Sequence, residues 1–106
     1  MRTGTLFDAK VEREAGRTLC ALSGMLTYSS YSSFRPLLDA VDAQDAGDMV
    51  LDLGDLHFLD SNGLSMLLVL KQRAAAAGRR LQLINVSPRV DRLLTHTRTH
   101  GLLGAA

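Results

Sequence analysis

The chain has 106 residues, of which 46% are hydrophobic and 22% are charged, a composition typical of one compact soluble domain and not of a disordered chain. It contains no Trp, three Phe and two Tyr, so the core must be aliphatic and few aromatic rings are available to stack on nucleic acid bases. The formal net charge of +1 gives no bulk attraction to nucleic acid or acidic lipid. We therefore expect one domain over residues 1–106 that binds no nucleic acid directly.

The cysteine content and the lengths of the apolar runs predict the cellular location of the protein. The single Cys20 cannot form an internal disulfide, and the first ten residues lack the positive start and apolar stretch of a secretory signal. The longest uninterrupted apolar run, Met66–Leu70, is far shorter than the roughly 18 residues of a membrane span. We expect a cytoplasmic protein with no membrane insertion.

Charge is distributed unevenly along the chain. Residues 1–60 carry five basic and ten acidic side chains, a net charge of −5, whereas residues 61–106 carry seven basic side chains and one acidic side chain, a net charge of +6. A partner surface can exploit this asymmetry.

The first half of the chain predicts a β-hairpin and a helix. In residues 6–12, apolar and charged side chains alternate with the period of two that indicates a strand with one solvated face, and the turn-forming residues 14–16 separate it from a second strand over 17–23. A polar stretch over 27–33 precedes apolar residues at helical spacing. Because Pro36 is tolerated only near the first turn of a helix, this helix is predicted to begin at Ser32 or Ser33.

Strands and helices alternate in the remainder. Residues 48–53 form an apolar run between two glycines, which indicates an interior strand, and a loop over 54–60 follows it. A long helix is predicted from Ser61 to Gly78, a strand over 81–84, and a last helix opened by Ser87 and Pro88. The order β-β-α-β-α-β-α predicts an α/β fold, with a mixed sheet of about four strands and helices packed on it.

The segment before the long helix carries most of the functional information. Asp60, Ser61 and Asn62 are all favoured N-cap types, and Gly63 brings no side chain that would obstruct close approach of another molecule. One interpretation is that Asp60 or Ser61 merely caps the helix. The other is that Ser61 is phosphorylated, because a helix N-terminus tolerates an anion and the fold would survive while the surface charge changes.

The chain from about Leu6 to Leu103 resembles the STAS domain, specifically the bacterial anti-sigma factor antagonists. Besides the hairpin, the residues that carry the resemblance are 22–26, 50–53, 58–64, 87–94 and 101–102. The Asp-Ser-x-Gly-Leu motif at 60–64, preceded by the buried strand, is fairly specific.

The resemblance implies partner switching. The unphosphorylated protein binds an anti-sigma factor that is also a GHKL-type serine kinase and so frees the kinase's target; phosphorylation releases the antagonist, and a PP2C-type phosphatase resets it. The protein itself is then no enzyme and holds no cofactor, because the nucleotide belongs to the kinase. Ser61 is the implied phosphoacceptor, and the implied partner-binding residues are Asp60, Ser61, Asn62, Gly63, Leu64, Thr27, Tyr28 and Ser29.

Three features depart from the family. Thr27 stands where Asp is common, so an oxygen is kept and a charge is lost. Asn62 stands where a second Ser, Thr or Ala is frequent, which leaves Ser61 as the only hydroxyl in the motif. The sequence stops at Ala106, so we expect the last strand and helix common in the family to be missing or reduced to a stub, and a missing edge element would favour self-association as a homodimer.

Other chemistry finds less support. Strand alternation, a turn and a cap explain Asp52, Asp55 and Asp60 separately, so no metal site is predicted. His96 and His100 have the spacing of two metal ligands but lack a third, and with Arg98 they suit the carboxyl end of the last helix.

Hydrolytic activity is not predicted either. Ser61 lacks the Gly-x-Ser-x-Gly context of a hydrolase nucleophile, and the chain has no glycine-rich phosphate loop.

Two alternatives stay open. The serines at 29, 30, 32 and 33 fit a loop with a helix cap, or a second phosphorylation site beside Ser61. The alternative function is a constitutive STAS subunit of a transport or scaffold assembly, in which Ser61 is a permanent contact.

Overall fold

The computed structural model describes residues 7–14, 16–41 and 47–96. Its strands are β1 (Asp8–Glu14), β2 (Arg17–Leu26), β3 (Asp48–Leu59) and β4 (Leu81–Ile84), and its α-helices are α1 (Tyr31–Val41), α2 (Ser61–Ala76) and α3 (Pro88–His96). A single 3₁₀ turn, Tyr28–Ser30, leads into α1. This order confirms the predicted succession of elements.

The four strands form one mixed sheet in the order β1-β2-β3-β4. The hairpin pair β1 and β2 is antiparallel, whereas β2 with β3 and β3 with β4 are parallel, because a helix returns the chain to the same end of the sheet at each crossover. Helices α1 and α2 contact one another, and α3 contacts β3. The predicted α/β fold with a mixed four-stranded sheet is therefore confirmed.

The core is aliphatic, as the composition requires. Along β2, alternate residues from Thr18 to Leu26 are buried, which is the period-two pattern of a strand covered on one face. Phe34 of α1 is fully buried and its ring centroid lies 6.3 Å from that of Phe7. Val90 and Leu94 of α3 complete the core with no exposed surface.

Several boundaries differ from the prediction; β2, for example, runs to Leu26 and not to residue 23. β3 continues to Leu59, through the segment expected to be a loop, because it stays paired with β2 as far as Leu26. Twelve residues of β3 face ten of β2, with register shifts at two places, so bulges break the alternation that would have marked a strand. Helix α1 begins at Tyr31, which places Pro36 in its second turn; Pro36 has no N–H to donate to the carbonyl of Ser32.

A buried arginine connects the end of the sheet opposite Ser61 to α1. Arg79 is 4% exposed, and its guanidinium donates to the Ala40 carbonyl at 3.0 Å, the Gly47 carbonyl at 3.0 Å and the Thr18 hydroxyl at 2.6 Å. Since Ala40 lies in the last turn of α1, the cation also meets the negative end of that helix.

Among the described residues, no helix combines the length and the apolar character needed to cross a membrane.

Candidate partner-binding site around Ser61

Ser61 is the exposed first residue of α2, and its neighbour Asp60 caps the helix. The Gly63 N–H donates to Asp60 Oδ1 at 2.7 Å, and the Leu64 N–H donates to the Asp60 carbonyl at 2.9 Å. The capping role therefore belongs to Asp60 and not to Ser61. The Ser61 carbonyl accepts a hydrogen bond from the Ser65 hydroxyl at 3.0 Å, while the Ser61 side chain projects from a helix end that favours an anion.

The start of α2 is fixed against the end of β2. The Asp60 N–H donates to the Leu26 carbonyl at 3.2 Å. A Cβ on Gly63 would collide with the Leu26 carbonyl oxygen and would lie 2.9 Å from the carbonyl carbon. Gly63 thus permits close approach, as predicted, but the approaching group is the chain's own backbone and not another molecule.

A network of hydroxyls shapes the loop after β2. The buried Ser30 hydroxyl donates to the Met25 carbonyl at 3.0 Å and accepts from the Thr27 N–H at 3.1 Å. The Thr27 and Ser29 hydroxyls lie 3.0 Å apart. Ser30 therefore has a structural role in this loop, whereas Tyr28 and Ser29 are exposed.

The loop after β2 and the junction at Asp60 between β3 and α2 meet at one edge of the sheet, because β2 and β3 are parallel and both end there. Thr27 directly follows Leu26, to which Asp60 is hydrogen bonded. Six of the eight predicted partner-binding residues have exposed or half-buried side chains at this edge: Thr27, Tyr28, Ser29, Asp60, Ser61 and Asn62. Gly63 and Leu64 are buried and support the site from beneath.

A groove of about 460 Å³ between α1 and α2 continues from this edge. Phe34 and Leu38 are its buried members. Of the described residues that line the groove, only Tyr28 and Asn62 were among the predicted partner-binding residues. A tyrosine repeated inside a serine-rich stretch was the one available signal. The other lining residues are Tyr31, Ser65, Met66, Val69 and Arg73.

The described residues include no group of three or more side chains that could hold a metal ion. Asp52 instead accepts from the Gly54 N–H at 2.9 Å and from the Asn85 amide at 3.1 Å. His100 and Arg98, and the side chain of His96, lie outside the described residues.

Taken together, the fold and this edge define an α/β domain that presents exposed polar side chains at the N-terminus of α2. Residues 9–104 match the family model described as "Mlab, STAS domain". The chain therefore belongs to the STAS domain family, which confirms the resemblance seen in the sequence. No curated protein sequence matches it.

Solved structures share the fold at low sequence identity. An anti-sigma factor antagonist from Mycobacterium paratuberculosis has a TM-score of 0.82 at 19% identity, covering 99% of this chain and 89% of that one. The phosphorylated form of the Bacillus cell fate determinant SpoIIAA has a TM-score of 0.67 at 19% identity, with coverages of 92% and 90%. A sulfate transporter family protein from Wolinella succinogenes has a TM-score of 0.72 at 18% identity, with coverages of 86% and 74%.

Proposed function

We propose that this STAS domain is an anti-sigma factor antagonist whose partner binding is switched by phosphorylation of Ser61. The observation that carries the proposal is the division of roles between two adjacent residues. Asp60 makes the hydrogen bond that starts α2, so the exposed Ser61 hydroxyl is not needed for the fold. A group attached to Ser61 therefore changes the surface and leaves the helix cap in place.

Charge gives the direction of the switch. A phosphate adds roughly −1.5 to −2 charge at neutral pH, and the positive end of the α2 dipole favours it. The folded domain thus tolerates the phosphate, whereas a partner seated on Ser61, Asn62 and Tyr28 must accommodate a new, strongly hydrated anion. Release of the partner without unfolding is the expected result.

The partners that suit this cycle are a GHKL-type serine kinase, which is also the anti-sigma factor, and a PP2C-type phosphatase. In the proposed cycle the kinase supplies the ATP site, and the antagonist is a non-enzymatic cytoplasmic protein without a cofactor. The fold shared with solved anti-sigma factor antagonists is compatible with this role.

A second candidate is a constitutive subunit of a transport assembly, favoured by the fold shared with the sulfate transporter family protein. In that role Ser61 would be a permanent contact and would carry no phosphate. The two functions differ in one measurable respect, the dependence of binding on the charge at position 61.

The test is a parallel pull-down from the source organism's lysate with Ser61→Ala and Ser61→Asp baits, together with mass spectrometry of Ser61 in the native protein. We expect a GHKL-type kinase to bind the alanine bait at least about tenfold more tightly than the aspartate bait, a difference of ~1.4 kcal/mol. Ala75→Asp adds the same charge to an exposed position near the other end of α2 and should bind like wild type.

Identical partners on both Ser61 baits, with no phosphate on native Ser61, would overturn the switch and favour the transport subunit. Circular dichroism of both variants should show the wild-type fold, since the Ser61 side chain is exposed.

A further inference from the structure

The two asparagines of the chain differ in chemical lability. Asn62 is followed by Gly63, whereas Asn85 is followed by Val86. An asparagine side chain loses ammonia when the backbone nitrogen of the next residue attacks its amide carbon. This attack is fastest before glycine, which has no side chain to obstruct it, and slow before a β-branched residue. Asn62 is exposed and adjacent to Ser61, so the labile asparagine lies next to the proposed phosphoacceptor.

The reaction at this dipeptide consumes only water. The Gly63 nitrogen gives up its proton and bonds to the side-chain carbonyl carbon of Asn62, while the amide nitrogen takes up a proton and leaves as ammonia. The cyclic imide that remains is opened by water at either carbonyl, which gives aspartate or isoaspartate. Overall, asparagine and water become a carboxylic acid and ammonia, and the acid is ionised at neutral pH.

The folded structure holds the attacking nitrogen in place. Gly63 is buried, and its N–H donates to Asp60 Oδ1 at 2.7 Å, so the proton that must leave is held in a hydrogen bond to a carboxylate. Asn62 lies in the first turn of α2, and ring closure requires its backbone to leave the helical conformation. That rotation would move Gly63, which is packed against the Leu26 carbonyl. The reaction therefore requires the start of α2 to open first.

We propose that Asn62 is a site of spontaneous deamidation, which the capped start of α2 keeps unreactive while the domain is folded. Opening of the first turn releases the Gly63 N–H, and the reaction then leaves a negative charge next to Ser61. A phosphatase cannot remove this charge. Its effect on partner binding rests on the proposed function, because the kinase should release the deamidated domain as it releases the phosphorylated one. The deamidation itself does not rest on that function.

The first experiment compares folded and unfolded full-length protein. Peptide mass spectrometry follows the conversion of Asn62 at mildly alkaline pH, in buffer and in guanidinium chloride, with Asn85 as the internal control in each sample. We expect Asn62 to convert much faster in the unfolded protein, and Asn85 to stay intact in both. Equal rates for Asn62 in the two states, or no conversion in the unfolded protein, would overturn the proposal.

Variants at Asp60 test the protective role of the cap. Asp60→Ala removes the acceptor of the Gly63 N–H and should speed deamidation of the folded protein by about fivefold, since loss of an N-cap favours opening of the first turn by about that factor. Asp60→Ser keeps an oxygen that caps a helix about as well as aspartate does and should react at nearly the wild-type rate.

Each of these rates is divided by the rate of the same variant in guanidinium chloride, which removes the effect of local sequence. Asn62→Gln is the control for the assignment and should show no conversion, because its longer side chain closes a larger ring slowly. An Asp60→Ala protein that reacts no faster than Asp60→Ser would overturn protection by the cap.

A binding measurement tests the consequence for the switch. The probe is the kinase retained by the Ser61→Ala bait. Asn62→Asp carries the charge of the aspartate product and should bind this kinase about tenfold more weakly than Asn62→Gln, which keeps the amide.

Ser61→Asp, measured alongside, separates the two ways in which this result can fail. If Ser61→Asp weakens binding and Asn62→Asp does not, the effect of deamidation on the switch is overturned and the proposed function stands. If neither substitution weakens binding, the proposed function fails, and the deamidation rates still decide whether Asn62 is the protected site.

Discussion

Gly63 shows how one residue determines the position of its neighbour Ser61. Its lack of a side chain allows the first turn of α2 to touch the Leu26 carbonyl, while its N–H satisfies Asp60 at 2.7 Å. The residue type of Asp60 is enough to predict that it caps the N-terminus of a helix. The partner that Gly63 touches is not visible in the sequence, because Leu26 lies more than thirty residues earlier.

Gly63→Ala should destabilise the domain by about 1–3 kcal/mol, because the new methyl group collides with backbone that cannot move aside. The sign is informative, since alanine in place of glycine normally stabilises a helix interior by about 1 kcal/mol. Urea unfolding followed by circular dichroism measures the effect, with the neighbouring exposed Asn62→Ala as the control. A Gly63→Ala protein as stable as the control would contradict the close approach to Leu26.

At the scale of elements, the sequence predicted structure correctly where the stabilising contact joins residues that are close together in the chain. The last helix begins at Pro88 with the Ser87 hydroxyl accepting from the Val90 N–H at 3.2 Å, as residue types predicted. The extent of β3 could not be predicted, because Gly54 and Asp55 resemble a turn and only pairing with β2 makes them strand. The groove was missed for the same reason, since its walls come from helices joined through β3.

Arg79 joins elements that are distant in sequence. Arg79→Met should remove hydrogen bonds to Thr18, Ala40 and Gly47 and destabilise the fold by about 3 kcal/mol, because a charged donor is lost and buried acceptors are left without it. Thr18→Val removes one of these bonds and should cost about 1 kcal/mol. Thermal and urea unfolding measure both. If the two variants lost equal stability, the connecting role of the guanidinium would be wrong.

At the scale of the whole molecule, the core excludes water well enough to change the chemistry of a thiol. Burial raises the pKa of Cys20 from its ordinary 9.0 to about 11, although the nearby Arg79 cation acts to lower it. The folded domain therefore holds a neutral thiol at a pH where the unfolded chain ionises. Stability from this group is complete below pH 9 and is lost as the pH rises from 9 toward 11.

A comparison of wild type with Cys20→Ala isolates this effect. Between pH 8 and pH 11, wild type should lose ~2 kcal/mol of unfolding free energy more than the variant does, because the variant has no thiol to ionise. Urea midpoints measured across that range provide the data. Parallel curves for the two proteins would show that the thiol titrates alike in the folded and unfolded states.

The hydrogen bond from the Asp60 N–H to the Leu26 carbonyl has a consequence for cells that contain several such domains. Because a backbone hydrogen bond holds the start of α2 to the sheet, exposed side chains such as Tyr28 and Asn62 can vary without disturbing the position of Ser61, whereas the Asp60 cap and Gly63 cannot. Related domains can then keep one position for the first residue of α2 and differ in surface residues such as Tyr28 and Asn62. Under the proposed function, the choice of partner would then depend on those few side chains, and exchanging them between two such domains should exchange their partners.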